Sequence, residues 1–208
     1  MAEPKIFKKD DIDRVANFIK AGGILAYPSE SVWGLGCDAF NDVAIERIFQ
    51  LKSRPSHKGL IVLTDGVDKL MPLFYHLPKG VQADLLQKIH ALNDAFDVKT
   101  AMRAQTWLVP MAKSLQLPKI LTNGCDTLAV RVTRHLPLVQ ICQAITDDSN
   151  PYGFLVSTSC NLSGKPSALN LEQAMDYFGE QVAYLDAPTL GFIQPSQIVD
   201  VVTGTILR

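Results

Sequence analysis

The chain has 208 residues, 47% of them hydrophobic and 20% charged, and its 20 Lys+Arg against 21 Asp+Glu leave a formal charge of −1. A chain of this length and apolar content can bury roughly 70% of its unfolded surface, which excludes a fully disordered chain, and the charge balance argues against a protein that grips nucleic acid mainly by bulk positive charge, so any basic site must be local. Cysteines at 37, 125, 142 and 160 form no Cys-x-x-Cys pair and no window approaches the ~18 apolar residues of a membrane span, so the expectation is a cytoplasmic chain with reduced thiols, no zinc ribbon and no anchor.

From the N-terminus, Asp10 and Asp11 are placed to cap a helix in which Ile12, Val15, Phe18 and Ile19 recur at helical spacing, and Gly22-Gly23 supplies a left-handed stop. Gly23 to Tyr27 reads as a short buried strand broken by Pro28-Ser29-Glu30-Ser31, after which Gly34 and Gly36 permit tight backbone before Asp38. Asn41 or Asp42 caps a second helix with Ala44, Ile45, Ile48, Phe49 and Leu51 on one face. It ends at Lys52-Ser53-Arg54-Pro55, because proline disfavours helix in the residue before it. Leu60 to Leu63 reads as a strand and Pro78 to His90 as a helix striped by Val81, Leu85, Leu86 and Ile89, while Asn93 to Arg103 has no clear period. Thr106 to Val109 and Thr127 to Val132 read as strands, Leu136 to Ile145 as a helix, and Phe154 to Ser157 as a strand opening into the polar turn Thr158 to Gly164. Leu171 to Phe178 is a further helix ended by Gly179, and Val182 to Leu185, Ile198 to Val202 and Thr205 to Arg208 read as strands. Strands and helices thus interleave throughout, which predicts a single α/β domain over 1–208 with a helix-covered mixed sheet and ligands gathered at strand ends.

Several of these ends carry chemistry. Lys52 and Arg54 leave a stiff, proline-terminated helix end from which both cations could face a polyphosphate, although the helix dipole favours such residues at a solvated C-terminus as well. Ser157, Thr158, Ser159, Asn161 and Ser163 crowd donors into one turn that suits phosphate, ribose or carboxylate oxygens, or simply satisfies its own backbone. Thr127 and Arg131 share one strand face, and an Arg leaving an apolar strand needs an anionic partner, either a ligand carboxylate or a structural Asp. Gly164-Lys165-Pro166-Ser167 is not a phosphate loop, since Ser159 stands in place of the first glycine and Pro166 in place of Ser/Thr. No Gly-x-Ser-x-Gly, His-Glu-x-x-His or dinucleotide fingerprint is present. Cys160 reads as a packing thiol, and Trp33 and Trp107 as core or cavity wall.

Taken together, Tyr27 to Asp38, Leu51 to Pro55, Ala129 to Val132, Ser157 to Gly164, Pro195 to Asp200 and the ending Ile206-Leu207-Arg208 resemble, in order and spacing, the YrdC/TsaC family over essentially the whole chain. The resemblance implies a YrdC-like twisted mixed sheet around a deep basic cavity. It also implies synthesis of L-threonylcarbamoyladenylate from L-threonine, bicarbonate and ATP with Mg2+, releasing pyrophosphate, for N6-threonylcarbamoyladenosine modification of tRNA by downstream transfer proteins. Carried over by motif, Lys52, Arg54, Thr127, Ser159, Asn161, Ser167 and Arg208 would surround ATP, with Lys52 and Arg54 stabilising charge that develops on the phosphates. Ser31, Arg131, Ser157 and Ser196 would hold threonine, and no resident metal site is implied. The chain departs from the family pattern at Ser29 and Ser31, where threonines are usual, and at Ala101 to Thr106, where only the threonine of a Trp-Pro-Gly-Pro-x-Thr stretch remains. One competing expectation is a double-stranded RNA-binding or ribosome-maturation factor using the same cavity, which would bind RNA with a steep salt dependence and no need for threonine. A second is a related carbamoyl-transfer enzyme using carbamoyl phosphate, which usually carries this domain in a longer chain with zinc-finger-like cysteines that are absent here.

Overall fold

The strands, in chain order, are β1 (Ile6–Lys8), β2 (Leu25–Pro28), β3 (Trp33–Gly36), β4 (Ile61–Thr64), β5 (Gln105–Pro110), β6 (Thr127–Val132), β7 (Leu155–Ser159), β8 (Ala183–Asp186) and β9 (Gln197–Asp200). They form one mixed sheet in the order β1-β8-β2-β3-β7-β4-β6-β5-β9. The computed structural model describes residues 3–53, 59–94, 102–112, 115, 117–122, 124–194 and 196–207. The centre of the sheet is antiparallel from β2 through β3 and β7 to β4, whereas β4 runs parallel to β6, β5 parallel to β9, and β8 parallel to both β1 and β2.

Helices α1 (Ile12–Lys20), α2 (Asp42–Lys52), α3 (Lys79–Asp94), α4 (Lys119–Thr122), α5 (Leu136–Ala144) and α6 (Leu171–Phe178) cover it. Alternation along the strands divides their side chains between two cores. Leu25, Tyr27, Leu63, Leu155 and Leu185 pack with Val15 and Ile19 of α1 and Leu138 and Ile141 of α5. Ala26, Leu35, Val62, Val130 and Val156 pack on the other side with Ile45 and Ile48 of α2 and Ala174 and Phe178 of α6. Each such leucine- or isoleucine-sized burial contributes about 1.5–3 kcal/mol.

Helix ends follow local chemistry. Asn41 caps α2 by accepting from the Ala44 N–H at 2.9 Å, and Asn170 caps α6 by accepting from Gln173 at 2.9 Å. Asp11 sits at the cap of α1 but bonds no helix N–H of that turn; its carboxylate accepts from the Lys8 N–H and the Arg14 guanidinium instead. Gly22, at φ 85°, provides the expected left-handed stop.

Several expectations need correction. Trp33–Gly36, where only tight backbone was expected, is a central strand, and β7 extends to Ser159, so part of the expected polar turn is strand. Strand β1, a 3-10 segment over Val67–Phe74 and α4 were not predicted. The expected terminal strand is reduced to a single bridge between Val199 and Ile206. The described residues contain no helix long and apolar enough to cross a membrane.

Between β8 and β9, seven positions apart in the sheet, residues 187–194 and 196 run across the molecule as a strap. Leu190 N–H donates to the Ser29 carbonyl at 3.2 Å, Phe192 N–H to the Glu30 carbonyl at 2.9 Å and Gln194 N–H to the Met102 carbonyl at 3.0 Å.

Candidate active site

The sheet register builds the floor of a cavity. Leu63 stands beside Arg131 on one side and Leu155 on the other, so these three point to one face; one step along, Ile61 stands between Ala129 and Ser157 on the same face. Gly34 opposite Ser159 and Leu108 opposite Ala129 extend this surface. Its Leu63 end is covered by α1 and α5, but beyond them the face is open and lines a cavity of about 910 Å³. The strap contributes Phe192, Ile193, Gln194 and Ser196 to the lining. Such a volume lies at the upper end of ordinary small-molecule sites.

Of the expected site residues, Ser31, Thr127, Arg131, Ser157, Ser159, Ser167 and Ser196 line this one cavity. Arg54 and Arg208 lie outside the described residues, as does Pro195. Arg131 is the one charged side chain among the described lining residues, and it is paired, so the basic character expected of the cavity is not displayed by the described lining.

Lys52 and Asn161 are absent from the described lining, and the geometry explains why. Lys52 ends α2 and is 2% exposed. Its ammonium donates to the Ser159 carbonyl, to the Asn161 carbonyl at 2.7 Å and to Asn161 Oδ1 at 3.0 Å. Asn161 Oδ1 also accepts from the Ser159 hydroxyl at 2.6 Å, and the Lys52 carbonyl accepts from the Ser163 N–H at 2.9 Å. The Lys52 charge therefore holds the 159–163 turn together from beneath. The turn is further pinned to β3 and its neighbours, with Cys160 N–H donating to Trp33 O, Trp33 N–H to Ala168 O and Ala168 N–H to Cys160 O. Cys160 is fully buried and burial pushes its thiol up to about 12, consistent with packing and not with nucleophilic chemistry.

Arg131 has a protein partner, and it is Glu30 rather than an Asp. Nη1 donates to Glu30 Oε2 at 3.0 Å and Nε to Thr106 Oγ1 at 3.2 Å. Glu30 Oε1 accepts from the Thr133 hydroxyl at 2.7 Å and the Arg134 N–H at 3.3 Å. Burial alone would raise the Glu30 carboxyl, but the Arg131 guanidinium and these donors outweigh it and hold it below the usual carboxylate range, so it is ionised at neutral pH. Nearby, His135 Nε2 faces the Pro188 carbonyl at 2.7 Å, and burial lowers its pKa, so the imidazole is neutral and donates to the strap.

Sequence reasoning missed Glu30, Thr106 and the strap. Glu30 offered one signal, a lone carboxylate between serines directly behind a buried strand. A buried strand-end carboxylate and a solvated one look alike until the partner strand is known. No group of three or more His, Cys, Asp or Glu side chains among the described residues could hold a metal ion.

Comparison with known proteins identifies the family. The Sua5/YciO/YrdC family model, described as "Telomere recombination", matches residues 17–208. A threonylcarbamoyl-AMP synthase of Moraxella catarrhalis is 53% identical over 204 residues, covering 98% of each chain. A threonylcarbamoyl-AMP synthase of Psychrobacter cryohalolentis is 43% identical over 208 residues, covering 96% of each. In fold, the chain is similar to P. abyssi Sua5 complexed with L-threonine, at TM-score 0.79 and 24% identity, matching 98% of this chain and 56% of that one. It is also similar to E. coli YciO at TM-score 0.70 and 17% identity, over 100% of this chain and 95% of that one.

Proposed function

This chain belongs to the Sua5/YciO/YrdC family, and we propose that it is a threonylcarbamoyl-AMP synthase, joining L-threonine, bicarbonate and ATP in the cavity over the sheet. The observation that carries this reading is convergence: hydroxyls and one guanidinium from distant segments meet around about 910 Å³, in a chain 53% identical to a protein of that name.

The chemistry needs three things of the protein. Bicarbonate and the threonine amine condense with loss of water to an N-carboxy species. Its carboxylate oxygen then attacks the α-phosphorus of ATP as the bond to the β-phosphate bridging oxygen breaks, and pyrophosphate departs with that electron pair. The protein must hold the amino acid, hold the triphosphate in line, and neutralise charge as it shifts.

Arg131, with Ser31, Ser157 and Ser196 around it, suits the threonine carboxylate. Thr127, Ser159 and Ser167 supply hydroxyls for phosphate and ribose oxygens. Lys52 and Asn161 act by fixing the turn that carries Ser159, while Arg54 and Arg208 are assigned to ATP on motif position alone. Since no carboxylate is among the described lining residues, magnesium would enter as part of the MgATP substrate, shielding the phosphates. The labile mixed anhydride would pass to downstream proteins that transfer the threonylcarbamoyl group to tRNA.

A double-stranded RNA-binding role is not favoured, because the described lining has one cation and that cation is paired. The test is mass detection of threonylcarbamoyl-AMP and of pyrophosphate. Both are expected only when L-threonine, bicarbonate and MgATP are present together; pyrophosphate release indifferent to threonine refutes the assignment.

A further inference from the structure

We infer that Glu30 and Thr106 are positioning residues for Arg131, fixing the guanidinium in one orientation and thereby setting the affinity of the cavity for an α-carboxylate without contacting the nucleotide. The inference deepens the proposed function and rests on it for the identity of the ligand.

Arg131 projects from β6 into the cavity wall on a long side chain with several rotatable bonds, which left to itself would lose much of its freedom on meeting a ligand. Two bonds from separate elements remove that freedom beforehand. Thr106, on β5 and fully buried, accepts from Nε at 3.2 Å, and Glu30, in the turn between β2 and β3, accepts from Nη1 at 3.0 Å. Two acceptors at different points of a planar group fix both its direction and its plane. Glu30 is itself immobilised, since its second oxygen accepts from Thr133 and Arg134. Of the five guanidinium N–H donors these bonds take two, and Arg131 still borders the cavity among neutral serines.

Stability alone is a weak reason for this arrangement, because a buried ion pair often does no better than apolar side chains of the same shape. Its position at a cavity edge gives it a use. The backbone of Glu30 also accepts from Phe192 of the strap, so one residue joins the guanidinium to the cavity's cover.

The test uses the full chain with Thr106→Val, Thr106→Ser and Glu30→Gln. Threonine- and bicarbonate-dependent pyrophosphate release is measured over a range of each substrate, alongside calorimetric titration of L-threonine. Thr106→Val keeps the side-chain shape and removes the acceptor for Nε. It should raise KM and Kd for L-threonine about tenfold, the order expected for one hydrogen bond to a charged group, and leave KM for ATP within about twofold. Thr106→Ser should restore most of the loss. Glu30→Gln cannot accept on both oxygens and should raise the threonine constants further; if it fails to fold, Thr106→Val decides the matter alone. An unchanged threonine constant in Thr106→Val, or equal rises for threonine and ATP, overturns the inference. If the wild type releases no threonine-dependent pyrophosphate, the proposed function fails; the inference then stands or falls on whether L-threonine binds the wild type about tenfold more tightly than Thr106→Val, and no binding to either overturns it as well.

Discussion

Lys52 illustrates how a residue can brace a cavity wall from outside the described lining. Its buried ammonium satisfies two carbonyls and an amide oxygen of the 159–161 turn, so Lys52→Met leaves buried acceptors unpaired. It should cost about 3 kcal/mol of stability, read by denaturant unfolding, and lower synthase activity at least a hundredfold. The thiols give an independent probe of the cavity: Cys125 is exposed and lines it, while Cys160 is buried with its thiol raised to about 12. Alkylation at pH 8 should therefore modify Cys125 first, and MgATP should slow it; unaltered labelling would place the nucleotide elsewhere. Two buried carboxyls should titrate with opposite consequences. Glu30 is held below its ordinary value, so its stabilisation is present above the unfolded carboxylate pKa and is lost as pH falls through its lower folded pKa. Asp38 is raised, chiefly by burial, so its ionised form at neutral pH is a cost that lessens as pH falls. Asp38→Asn keeps an acceptor for the Phe40 N–H and should stabilise the protein at pH 7 by a margin that shrinks toward acid, followed by thermal unfolding across pH 4–8.

At the scale of elements, the fold was legible wherever periodicity was strong: α1, α2, α6 and the strands β4, β6 and β8 were all visible from spacing and punctuation. What escaped was decided by partners distant in sequence. The glycines of Trp33-Gly34-Leu35-Gly36 look like turn formers, yet they are present because β3 lies against bulky neighbours. A Cβ at Gly34 would meet the Tyr27 ring at 2.7 Å, and one at Gly36 the Val156 carbonyl at 1.8 Å. Gly36→Ala should accordingly cost more than about 3 kcal/mol or prevent folding, as soluble yield and unfolding midpoint will report. Strand β1 is three residues set among lysines and carries too little pattern to be read. The end of α2 offers the opposite experiment: Ser53 has φ 48°, a left-handed conformation that glycine adopts without strain. Ser53→Gly should raise stability by about 0.5–1 kcal/mol, or roughly 1–4 °C in Tm. The site was legible to a similar degree, since motif hydroxyls fell together in one cavity while the carboxylate that pairs with Arg131 stayed hidden in a loop.

At the scale of the whole molecule, sheet order governs how the cavity is completed. Its floor comes from strands β3 to β7 of the central sheet and from β9 at the edge, but its cover comes from the strap, which leaves β8 near one edge and delivers β9 to the other. Seven strand spacings amount to about 34 Å along a flat sheet, and the eleven residue steps from Asp186 to Gln197 reach about 36 Å when extended. Twist shortens the path, yet little slack is left over, and the kink at Gly191, with φ 79°, uses some of it. Deleting Ile193, whose side chain is 75% exposed, should thus pull β9 from its register, lower Tm by more than about 5 °C and abolish activity, whereas Ile193→Ala should leave Tm within about 1 °C. Chain length between two edges then acts as a gauge: it caps how far apart the two ends of the sheet can stand.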